Sequence, residues 1–62
     1  MTPAQLVKHY DNNISFTAYN IDYSEASVRA WLKLGTLPAK VQTLAEALTG
    51  GKLKADRKVK KT

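Results

Sequence analysis

Sixty-two residues make one domain at most, and a chain this short buries only about 60% of its unfolded surface. Hydrophobic residues at 44%, charged residues at 24% and no cysteine describe a globular rather than a disordered chain, without disulfides or thiolate metal sites. The net charge of +5 sits entirely in the last eleven residues, where six basic side chains meet one acidic one. Residues 1–51 carry four of each.

Thr2-Pro3-Ala4-Gln5 opens the chain as a helix start. Thr2 suits the N-cap, Pro3 the first helical position, and Gln5 completes a capping box. Leu6, Val7 and Tyr10 then share one face, which predicts a short helix from about Pro3 to Tyr10. Asp11-Asn12-Asn13 breaks it, and Asn13 can cap the next segment.

Ile14, Thr17, Ala18 and Ile21 fall at the i, i+3, i+4, i+7 spacing of a second short helix. Its residues are weak helix formers, so tertiary packing must hold it. A tight turn is expected at Asp22, because Asp tolerates left-handed backbone. Ser24 is a fresh N-cap, with Tyr23 and Val28 placed to form a hydrophobic staple. The third helix runs from about Glu25 to Leu34, buries Val28, Trp31 and Leu32, and stops at Gly35.

Pro38 stands near the start of a fourth helix, whose expected apolar stripe is Leu37, Val41, Leu44, Ala45 and Leu48. Thr49-Gly50-Gly51 ends it. A fifth helix, if formed, lies near Lys54–Lys58. No segment alternates with period two. The expected fold is therefore all-α, four to five short helices, with a helical domain over residues 1–51 and a basic C-terminal tail over 52–62.

Helices two and three, joined by a turn of three or four residues, have helix-turn-helix spacing. Ala18 is small where the helices touch, Asp22 takes the turn four residues on, and Val28 and Trp31 follow as buried positions. That constellation points to DNA binding, and a neutral body with a basic tail suits a polyanion partner. Trp31 belongs to the core on this pattern rather than to a stacking surface. Phe16 and Tyr19 fall outside the stripe of helix two.

The sequence resembles the small Cro-type repressors of lambdoid phages and their YdaS-like bacterial relatives. The likeness covers nearly the whole chain. It is carried by Thr2 to Tyr10, Ser24 to Lys33, Gly35 with Leu37-Pro38-Ala39, and Leu44 with Leu48-Thr49-Gly50-Gly51. Asp22 departs from the glycine usual at the turn, and Phe16, Thr17 and Tyr19 stand where the family is often alanine-rich.

The resemblance implies a transcriptional repressor that binds operator DNA as a weak homodimer, in the cytoplasm of a bacterial host and at its nucleoid. The third helix would read bases through Ser24, Glu25, Ala26, Ser27, Arg29 and Ala30. Arg29 suits guanine, Glu25 suits either cytosine N4 or the dipole of its own helix, and Ala26 suits a thymine methyl. Phosphates would be met by Asn12 and Asn13 at the start of helix two, by Lys33 and Lys40, and by Lys52, Lys54, Arg57 and Lys58 of the tail.

No catalytic constellation is visible, one histidine without cysteine makes no metal site, and no cofactor or small-molecule ligand is expected. No apolar run is long enough for a membrane span. Two rival readings stay open. One is a protein-binding helical adaptor of anti-repressor or antitoxin-like type, its tail meeting an acidic protein face. The other is a DNA-bending protein, because Arg29 to Pro38 is also similar to excisionase-like winged-helix proteins. The latter place a β-hairpin after the recognition helix, where this chain has a helical stripe.

Overall fold

The computed structural model describes residues 1–55. Its helices are α1 (Pro3–His9), α2 (Ile14–Ile21), α3 (Glu25–Leu34) and α4 (Ala39–Leu48), and no strand occurs among the described residues.

The helix starts follow side-chain chemistry. The Gln5 amide donates to Thr2 Oγ1 at 3.2 Å and the Thr2 amide to Gln5 Oε1 at 2.9 Å, so the capping box satisfies two amides that a helix start leaves unpaired. Asn13 Oδ1 accepts from the Phe16 amide at 2.9 Å and Ser24 Oγ from the Ser27 amide at 3.1 Å. α4 begins on Pro38 with no side-chain cap.

The helix ends need left-handed backbone. Gly35 closes α3 at φ 80°, its amide donating to Trp31 O at 2.8 Å. Asp22 does the same for α2 at φ 62° and ψ 44°, as the Asp at the turn requires. Between α1 and α2, Asp11 and Asn12 are both left-handed, at φ 61° and 55°, and the amides of Tyr10 and Asn12 fold back onto Val7 O. α1 thus closes one residue before the expected Tyr10, which becomes its C-cap.

α3 packs on α2 and α1, and α4 packs on α2. Leu6, Val7, Tyr10, Ala18, Ile21, Val28, Trp31, Leu37, Val41 and Ala45 form the buried core, with Met1 at its edge. Ile14, Leu32, Leu44 and Leu53 pack against it half-buried. Tyr23 sets its ring edge-on to Trp31, centroids 5.2 Å apart.

The stripe of α4 holds at Leu37, Val41, Leu44 and Ala45 and departs from expectation at Leu48. Leu48 is half exposed, while Gln42 and Thr49 are buried. The polar pair can face inward because both are satisfied. Gln42 Nε2 donates to Leu37 O at 3.1 Å, and its Oε1 accepts from the Met1 amino group at 3.4 Å. Thr49 Oγ1 donates to Ala45 O at 2.8 Å and accepts from the Leu53 amide at 3.1 Å.

Residues 52–55 lie against the body. Besides the Thr49 bond, the Met1 amino group donates to Lys54 O at 3.0 Å, and the Ala55 amide donates to Glu46 Oε1 at 2.9 Å. Lys54 and Ala55 are not helical; the rest of the expected fifth helix lies outside the described residues.

Candidate nucleic-acid interface

α2 and α3 meet across the turn Asp22-Tyr23-Ser24. Ala18, only 3% exposed, gives the close approach that this turn needs, and the Tyr23 amide donates to Ala18 O at 3.0 Å. Thr17 is fully buried beside it, its hydroxyl donating to Asn13 O at 2.8 Å. Val28 and Trp31 point inward. The opposite side of α3 is therefore presented to solvent. This is helix-turn-helix geometry, built from the residues that its spacing required.

Of the expected base-contacting residues, Ser24, Glu25, Ala26, Arg29 and Ala30 are exposed. Ser27 is half-buried and shares a 3.0 Å hydroxyl contact with Ser24, so both serines take part in the cap. Glu25, Arg29 and Lys33 succeed one another at i, i+4 and i+8 and form a charged row. Ala26 and Ala30 flank it as a low, apolar shoulder.

Glu25 is engaged at both carboxylate oxygens. Oε2 accepts from Ser15 Oγ on α2 at 2.7 Å, and Oε1 accepts from Arg29 Nη2 at 3.1 Å. The Arg29 pairing follows from an i, i+4 spacing visible in the sequence. Ser15 stands ten residues from Glu25, and no spacing rule links the two. Only the packing of α2 on α3 brings its hydroxyl there.

Asn12 and Asn13 are exposed at the start of α2. The Asn13 amide donates to Tyr10 O and its side chain caps Phe16, while the amides of Ile14 and Ser15 stand in the first turn, where a helix offers them no acceptor. Lys33 is exposed in the last turn of α3 and Lys40 in the first turn of α4. Lys52 and Lys54, with Lys8 and His9, line a groove beside α1, together with Met1, Gln5 and Leu53. Arg57 and Lys58 lie outside the described residues.

Phe16 is 44% exposed, its ring edge-on to Tyr10 at 5.7 Å, and Tyr19 is 83% exposed. The chain between α3 and α4 is a short Thr36–Pro38 link into a helix, which is not the hairpin of a winged helix. Among the described residues, no cluster of His, Asp or Glu could hold a metal ion, and no helix is long and apolar enough to cross a membrane.

No protein-family model matches the chain, and neither does any curated protein sequence. The chain is similar to the solved structure of N15 Cro in complex with consensus operator DNA, at 32% identity and a TM-score of 0.84. The match covers 90% of this chain and 87% of that one.

Proposed function

This chain belongs to the Cro-type family of phage repressors, and from that premise we propose that it is a transcriptional repressor that binds double-stranded operator DNA. The observation that carries the reading is the solvent-facing side of α3 in a helix-turn-helix, on a fold matched along its length by a Cro protein in complex with operator DNA.

α3 is the recognition helix, entering the major groove with its N-terminal half. Arg29 reads guanine through a bidentate contact to O6 and N7. Ala26 and Ala30 give apolar contact, which suits a thymine methyl. Ser24 and Ser27 complete the base-facing set, with Glu25 beside Arg29 on the same face. The first turn of α2 holds phosphate through the amides of Ile14 and Ser15, because those of Asn12 and Asn13 are bonded inward to Val7 O and Tyr10 O, and Lys33 and Lys40 add to it. Lys52, Lys54, Arg57 and Lys58 supply charge to the backbone without sequence preference. One short helix reads only a few base pairs, so the protein acts as a weak homodimer on a twofold site. The place of action is the bacterial cytoplasm, at the nucleoid.

A mobility-shift titration on random duplex at low and moderate salt tests this reading. Binding that weakens as salt rises supports it, because released counterions drive such binding. No shift at either salt concentration favours the protein-binding adaptor.

A further inference from the structure

Glu25 stands on the exposed face of α3, where a carboxylate repels the phosphates that the proposed function brings close. Its surroundings explain what offsets that repulsion. The 2.7 Å bond from Ser15 is a short, charge-assisted hydrogen bond, and it comes from a different helix. The carboxylate is therefore fixed relative to α2 as well as to α3. Its other oxygen holds Arg29 at 3.1 Å.

The Arg29 and Glu25 side chains are 60% and 45% exposed, and an ion pair so open to water adds little to the stability of the fold. Its effect falls on the freedom of Arg29. A free arginine must be frozen when it meets a base, and freezing a side chain with many rotamers weakens binding by roughly two- to tenfold. A guanidinium already held from behind through one Nη2 bond keeps donors for a base edge, since it has five in a rigid fork.

We propose that Glu25 is a positioning residue: anchored by Ser15 across the helix-turn-helix, it holds the Arg29 guanidinium pre-oriented for reading a base, and does not itself read one. This role rests on the proposed function, in which Arg29 is a base reader. It replaces the cytosine-accepting role for Glu25 with an indirect one.

The test is a double-mutant cycle read as a specificity ratio, the affinity for a selected operator divided by that for random duplex. The proteins are the full chain, Glu25→Ala, Glu25→Gln, Ser15→Ala, Arg29→Ala and the double variant Glu25→Ala/Arg29→Ala. Glu25→Ala is expected to lower the ratio by about two- to tenfold, with binding to random duplex no weaker because a negative charge has gone. Glu25→Gln, which can still accept from Arg29, is expected to retain part of the ratio, and Ser15→Ala to lower it in the same direction. In the Arg29→Ala background, removing Glu25 should change the ratio no further.

A fall in the ratio that persists without Arg29 overturns the proposal, because Glu25 then reads a base itself. Equal losses on both DNAs overturn it too, because Glu25 then only supports the fold. If Arg29→Ala alone leaves the ratio intact, the reading of Arg29 fails first, and the positioning role fails with it. That outcome is distinct from the other two.

Discussion

The turn of the helix-turn-helix hangs on a non-glycine residue in a glycine conformation, and replacing it has a calculable effect. Asp22 sits at φ 62° and ψ 44° and is exposed. A left-handed L-residue costs about 1–2 kcal/mol, with Asp and Asn toward the low end because their side chains bond locally. Asp22→Gly removes that cost but loosens the unfolded chain, which returns about 0.4–1 kcal/mol. The net gain is about 0–1 kcal/mol. For a domain of this size, that raises Tm by at most about 8 °C.

Asp22→Asn separates backbone from charge, since it keeps the tolerance and loses the carboxylate. Asp22→Ala loses the tolerance altogether. Thermal melts followed by circular dichroism should rank the proteins Gly above Asn and Asp, with Ala lowest. Should the alanine variant melt at or above the glycine variant, the turn is not left-handed at position 22, and the account of how α2 is set against α3 is wrong.

Trp31→Ala should cost about 3–5 kcal/mol and leave most of the protein unfolded at room temperature, which a denaturant titration would reveal. Two buried threonines should differ when changed to valine. Thr17→Val should shift stability by less than about 1 kcal/mol, because Asn13 O keeps the Thr17 amide as a donor. Thr49→Val should cost about 1–3 kcal/mol, because the Leu53 amide loses its acceptor; urea melts of the pair check both. Replacing Arg57, Lys58, Lys60 and Lys61 with Gln should flatten the salt dependence of DNA binding, by about 0.9 in slope for each phosphate that is no longer neutralised. An unchanged slope would assign the tail's charge to another role.

The caps, the stops and three of the four helical faces were legible in the sequence because they are local. Thr2 with Gln5, Asn13, Ser24 and Gly35 each act within a few residues, and the buried faces of α1, α2 and α3 follow from periodicity alone. The face of α4 was legible at Leu37, Val41, Leu44 and Ala45, and not at its end. Hydropathy favours Leu48 over Gln42, and only the partners of Gln42 and Thr49, supplied by Leu37, Met1, Ala45 and Leu53, make those polar residues the ones to bury. The candidate interface divides the same way. Helix-turn-helix spacing pointed to the exposed face of α3, and the Glu25–Arg29 spacing was on view. The Ser15 brace depends on two helices meeting, which no single stretch of sequence encodes. Leu53, an apolar residue at the start of the basic tail, packs on the core.

Sequence-specific reading by α3 is tested most directly by selecting bound sequences from a random duplex pool with the 62-residue protein. Enrichment of a twofold-symmetric site is expected, with half-sites about 10 base pairs apart, each carrying a guanine whose replacement weakens the parent protein but not Arg29→Ala. A pool that binds without enriching any sequence, or one whose enriched site is equally well bound by Arg29→Ala, would contradict it.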